Sequence, residues 1–338
     1  MKYLYKLLFS TMLLLSTLLT ISTNSWVTMW IGLEINLLSF IPLMKEKMNM
    51  RASEASMKYF ITQAMASIIL LTALLNNCVI ESFSSNLIIN TPTLMITLSA
   101  LITKTGAAPF HFWFPEVIEG MSWTNALILL TWQKLAPLSM ILYLKNTNWL
   151  MISIVSSIIV GSIIGLNQTS LRKILAYSSI NHLGWILSAS MFSKSIWIIY
   201  FIFYCLTSIF LILQFKIFNM NHLNQFFMVP MSKTSSKMMF TMNFFTLGGI
   251  PPFIGFLPKW LTIQVLMENK LIILSIFLIL VSLITLFYYI RIMLIPLTMS
   301  PTFSSMQSFE MKPKKMMSTL NLIFMFSLIL NPNVINWA

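Results

Sequence analysis

Apolar runs of about twenty residues follow one another along almost the whole chain, separated by short polar connectors. Each run is long enough to cross a hydrocarbon core of ~30 Å as a helix rising 1.5 Å per residue. The pattern predicts eleven spans, at 4–22, 25–44, 57–76, 92–119, 122–144, 149–166, 171–191, 195–219, 238–267, 271–295 and 318–336. The longest connectors, at 222–237 and 300–315, have room only for loops, so the expected fold is an all-α polytopic membrane protein. Ser53 and Ser122 stand where helix N-caps are expected. Lys2 and Lys6 ahead of the first run resemble the start of a secretory signal. No small-residue cleavage site follows them and a second run begins at Ser25, so the first run is read as a retained helix.

Glycine and proline interrupt the fourth and ninth runs. The fourth reads Gly106-Ala107-Ala108-Pro109-Phe110, with a further proline at Pro115; the ninth reads Gly248-Gly249-Ile250-Pro251-Pro252-Phe253, with a further proline at Pro258. Gly106 and Gly248 are 142 residues apart, and that offset carries spans one to five onto spans six to ten. An odd number of crossings turns the second copy upside down. The expected organisation is therefore two inverted five-helix repeats, 1–145 and 146–297, with broken helices at 92–119 and 238–267. A loop and a C-terminal helix follow in 298–338. Interrupted spans at matching positions point to the binding site of a secondary-transporter-like fold. The bland alternative is that glycine and proline merely kink spanning helices.

Composition changes this picture in three ways. Only 9% of the 338 residues are charged, against ~25% in an ordinary soluble domain, so a soluble enzyme is excluded. The chain has no aspartate, three arginines and 27 methionines, a bias that fits an A+T-rich organellar genome and hence mitochondrial encoding. The net charge of +13 raises the question of nucleic acid, but the basic residues lie in short connectors. The positive-inside rule and anionic phospholipids such as cardiolipin account for them, and nucleic acid does not. Fifteen connector lysines and arginines fall on the side that holds the N-terminus, against Lys145, Lys194 and Lys270 on the other, which sets the N-terminus in the positive-inside compartment and the C-terminus opposite.

Four charged residues stay unexplained by topology. Lys104, Lys134 and Lys259 lie inside apolar runs, as does Glu34. A charge at the bilayer centre costs roughly 2.5–3.5 kcal/mol on insertion scales, so each is a candidate for proton or ion transfer. Burial disfavours the charged form of any lysine and a carboxylate restores it, so a neighbour that moves can switch the proton on and off. Glu34 is the natural partner of Lys104; a static ion pair serving as helix glue is the alternative. Lys259, beyond the second interruption, is placed toward the opposite face, as an exit position or as a lysine that snorkels to the interface. His182, within the polar stripe Tyr177 to His182, and His111, after the first interruption, are candidate relays or hydrogen-bonded core histidines. His222 is expected at the surface. Glu116 and Glu119 could line a proton entrance or simply end a helix in solvent. Cys78 and Cys205 have no metal-type spacing, and no nucleotide-binding, haem or cluster motif is present.

Several stretches resemble one family closely. They are Gly32-Leu33-Glu34-Ile35-Asn36, Glu54 to Phe60, Lys104 to Trp113, Thr131-Trp132-Gln133-Lys134, Leu166 through His182, and Gly248 to Trp260. These look like the antiporter-like membrane-arm subunits of respiratory complex I, in the animal, arthropod-like form, over essentially the whole chain and least in the last forty residues. The resemblance implies proton translocation across the mitochondrial inner membrane, with the N-terminus in the matrix. It implies Glu34 paired with Lys104, Lys134 as the central proton carrier and Lys259 as the last lysine before release. NADH, FMN, iron–sulfur clusters and ubiquinone would be bound by other subunits, with none on this chain. Neighbouring antiporter-like subunits, other membrane-arm subunits and accessory subunits would be its partners. A stand-alone cation/proton antiporter is the alternative function; the absence of aspartate argues against a sodium site built from clustered oxygens.

Overall fold

A computed structural model describes residues 2–45, 49–83, 91–144, 147–225 and 234–298. The eleventh expected span, at 318–336, lies outside the described residues. Those residues are almost wholly helical and contain no named strand. Six of the helices are long and apolar enough to cross a membrane: Leu4–Ser22, Trp26–Met44, Met50–Asn77, Asn148–Leu166, Lys194–Ile217 and Ile272–Leu294. The chain divides into two compact units, Met1–Ser157 and Ile158–Ala338.

The first unit opens with α1 (Lys2–Ser22) and α2 (Trp26–Met44), which pack closely together. Gly32 makes that approach possible, since a Cβ there would stand 2.4 Å from Thr20 Cγ2 and 3.1 Å from the Ser16 carbonyl. Small residues at such contacts are the usual means of bringing helices together in lipid. Helix α3 (Met50–Phe83) follows; Ser53 lies inside it and donates to the Met50 carbonyl, so it does not cap. The cap expected there moves because the helix begins before the apolar run does. Trp30 ties α2 to α3 by donating to the Ser67 carbonyl at 3.1 Å.

Then come α4 (Thr91–Thr105) and α5 (Trp113–Gly120), separated by the Gly106-to-Phe112 segment with a cis Ala108–Pro109 bond. The run expected as one span at 122–144 is two helices, α6 (Trp123–Leu130) and α7 (Trp132–Ile141). Ser122 precedes α6 in extended backbone but makes no side-chain cap bond. At the interruption, Thr131 has φ −111° and its hydroxyl donates to the Leu127 carbonyl at 2.7 Å. Pro137 adds to the disturbance, because it offers no N–H to the Gln133 carbonyl one turn before it. Helix α7 packs against α1, α2, α4 and α6.

Helix α8 (Thr147–Leu166) carries the division between the units. In the second unit α9 (Leu171–Ser190) is buried on nearly every side, which explains how its serines, Asn181 and His182 escape lipid. Gly161 of α8 lies against the Asn181 amide and the Tyr177 carbonyl, where a Cβ would come within 2.7 Å. Next are α10 (Lys194–Ile217), α11 (Thr234–Gly248), α12 (Phe256–Glu268) and α13 (Ile272–Thr298). Helix α12 packs on α9, α10 and α13. The loop after α10 is pinned to the start of α9 by Leu171 N–H to the Asn221 carbonyl at 2.9 Å and by Arg172 to Asn221 Oδ1 at 3.0 Å. His222, in that loop, is exposed.

Candidate functional site

Both broken helices end in the same way. Gly106 has φ +75°, its N–H reaches the Thr103 carbonyl at 3.2 Å, and the Ala107 N–H reaches the Ile102 carbonyl at 3.2 Å. Gly249 also has φ +75°, its N–H reaches the Thr246 carbonyl at 3.2 Å, and the Ile250 N–H reaches the Phe245 carbonyl at 3.3 Å. This is the Schellman arrangement, which needs a left-handed residue just past the helix and so selects glycine. The structural match pairs Gly106 with Gly249, one residue beyond the offset read from the sequence. Side chains reach the carbonyls of the two ends differently. Trp113 Nε1 donates to the Thr103 carbonyl at 3.0 Å and Gln63 to the Lys104 carbonyl at 3.4 Å; Lys259 Nζ donates to the Gly248 carbonyl at 2.9 Å.

In the first unit Lys104 and Lys134 line one cavity, with an empty volume of about 400 Å³ counting its open mouth. Lys104 sits in the last turn of α4, where the negative end of the helix dipole favours a cation. Lys134 lies near the start of α7 with its ammonium 4.8 Å from the centroid of the Phe114 ring. Glu34 is close enough for its charge to act on Lys104. The two form no ion pair within 4.0 Å, and one Glu34 carboxylate oxygen is buried without a hydrogen-bond partner among the described residues. The partnership expected of Glu34 and Lys104 is therefore one of charge acting at a distance, without a direct ion pair.

The cavity wall also carries amides and a phenol that sequence reading passed over. Tyr59 donates to Gln133 Oε1 at 3.3 Å, and Gln133 Nε2 donates to Asn36 Oδ1 at 3.0 Å, joining α3, α7 and α2. Their signal was available, since an amide inside an apolar run is costly unless paired. His111 is buried in the first interruption with Nδ1 3.2 Å from the Pro109 carbonyl and its ring on Phe112. It does not line the cavity. Glu116 is exposed and bonded to Lys58 at 2.8 Å.

In the second unit Lys259 turns back onto the break instead of running outward. It is 6% exposed, against 7% for Lys104 and 2% for Lys134, so none of the three snorkels to a surface of the chain. The reason is the Gly248 carbonyl at the α11 terminus, which the Schellman bonds do not use: Lys259 donates to it and lies across Gly249, where a Cβ would stand 3.0 Å from its Cδ. Its ammonium is 5.8 Å from the Trp185 ring centroid. His182, one turn before Trp185 on α9, has Nδ1 3.0 Å from the Tyr200 hydroxyl and its ring against Tyr204. Tyr288 and Tyr289 are buried in the same unit, their rings 4.4 Å apart. Among the described residues no three of His, Cys and Glu gather where one metal ion could bind them.

Residues 23–285 match the family model described as the transmembrane region of NADH:quinone oxidoreductase and Mrp antiporters. The chain belongs to this family. An NADH-ubiquinone oxidoreductase chain 2 from Anopheles gambiae is 51% identical over 86% of this chain and 86% of the relative. One from Locusta migratoria is 45% identical, over 85% and 84%. A chain of respiratory complex I from Thermus thermophilus shares the fold at TM-score 0.83 with 22% identity, over 98% of this chain and 79% of that one. A chain of the Mrp complex from Dietzia follows at TM-score 0.74 and 19% identity, over 83% and 58%. Within this NADH:quinone oxidoreductase/Mrp family fold, the lysines therefore sit at the broken helices and in the cavity beside them.

Proposed function

We propose that Lys104, Lys134 and Lys259 carry protons through the chain, with Glu34 tuning Lys104 and His182 and His111 as relays. The chain is an antiporter-like subunit of respiratory complex I and takes part in proton-translocating NADH:ubiquinone oxidoreduction. The observation that carries the residue assignment is the cavity shared by Lys104 and Lys134, with amide and phenol groups between helices and Glu34 near by. Buried lysines next to polar cavities in a spanning protein are expected to work, since otherwise they only cost stability.

On this reading eleven spans form two inverted repeats, 1–145 and 146–297, followed by the C-terminal 298–338. The shared glycine-capped ends at Gly106 and Gly249 support it. Gly106, Pro109, Gly248, Gly249, Pro251 and Pro252 serve to expose helix ends to the proton path. The N-terminus faces the matrix and the C-terminus the intermembrane space of the mitochondrial inner membrane, and the chain is mitochondrially encoded. Electron transfer takes place in other subunits, which hold NADH, FMN, iron–sulfur clusters and ubiquinone. Neighbouring antiporter-like and accessory subunits and phospholipids such as cardiolipin surround the chain. Native electrophoresis of mildly solubilised membranes, stained in the gel for NADH dehydrogenase, tests the assembly. The chain is expected only in the large NADH-oxidising band; a small species away from that band would favour a stand-alone antiporter.

A further inference from the structure

Phe114 joins the broken helix of the first unit to the lysine of α7. It lies in the first turn of α5, directly after the interruption, and is buried. One edge of its ring closes the space over left-handed Gly106, where a Cβ would stand 2.9 Å from Phe114 Cδ2. Its ring lies under the Lys134 ammonium at 4.8 Å. The short helix that carries it is fastened to α3 at two points. A Cβ on Gly120 would come within 2.6 Å of the Arg51 carbonyl, and Lys58 bridges Glu116 of α5 and Glu54 of α3, 2.8 Å from each.

An aromatic face attracts a cation through the ring quadrupole, more strongly where water is excluded, and it cannot take the proton. We propose that Phe114 is a positioning residue for proton transfer at Lys134, its π face holding the ammonium in the cavity while the Lys58–Glu116 bridge sets the ring's place. This rests on the reading of Lys134 as a proton carrier. The second unit offers an independent parallel: beside left-handed Gly249, Lys259 is set near the Trp185 ring.

The test uses the assembled complex in liposomes and follows NADH-driven proton translocation. Phe114→Leu keeps apolar bulk but loses the π face and is expected to lower translocation about threefold to tenfold. Phe114→Tyr is expected to recover most of that loss. Equal behaviour of the two variants, or no loss in either, would overturn the proposal, since a ring that only fills space needs no quadrupole. Should Phe114→Leu fail to assemble, the exposed bridge decides: Lys58→Glu is expected to depress translocation and Lys58→Glu with Glu116→Lys to restore it. Translocation unaffected by Lys58→Glu would refute the bridge's role. If Lys134→Met abolishes translocation while Phe114→Leu does not, this inference fails alone; if Lys134→Met has no effect, the reading beneath it fails too.

Discussion

Lys259 reaches back eleven positions along the chain to donate to the Gly248 carbonyl, 2.9 Å from its ammonium. A cation is thereby seated at the negative end of α11, where helix-end carbonyls are otherwise unsatisfied. Such a seat holds the lysine charge without a carboxylate partner among the described residues.

Gly249 is the residue that permits this seat. Gly249→Ala places a Cβ in left-handed backbone, at a cost of roughly 1–2 kcal/mol, and against the Lys259 side chain. The assembled complex is expected to lose activity at a lower temperature and to translocate protons more slowly. Gly248→Ala is the control, since its Cβ would be in ordinary contact with Tyr289 at 3.6 Å. Thermal inactivation and translocation compared side by side check this; equal effects of the two substitutions would contradict it.

Asn36, Gln133 and Tyr59 are expected to act as one unit. Each interhelical bond of this kind is worth about 0.6 kcal/mol in a membrane protein, and removing one partner strands the others. Thermal denaturation of Asn36→Ala, Gln133→Ala and the double variant should show non-additive losses, the double variant little worse than the worse single one. Additive losses would mean that the cavity wall is not a connected network.

The charge distribution predicts sidedness. In a background with Cys78 and Cys205 replaced by serine, Lys45→Cys should be shielded from an impermeant thiol reagent in intact mitoplasts, and Lys194→Cys labelled. Both lysines are exposed. The reverse pattern would overturn the matrix orientation of the N-terminus.

The sequence made six of the spans, both glycine–proline interruptions and the three buried lysines readable, because each stands out against a uniform apolar background. It did not reveal the split at Thr131, although Pro137 was a signal for it, since one proline in a spanning helix is tolerated without a break. The direction of Lys259 depends on an uncapped carbonyl that exists only once α11 ends. The Asn36–Gln133 bond joins residues 97 positions apart, and no local pattern carries such a contact.

Lys134→Met in a fully assembled complex, assayed as protons pumped per NADH oxidised, is the decisive measurement of whether Lys134 carries protons. Methionine keeps a flexible, unbranched side chain one atom shorter than lysine and removes the titratable group. Fewer protons per NADH are expected, with the complex assembled and NADH oxidation by its other subunits intact. An unchanged proton count at full NADH:ubiquinone turnover would contradict it.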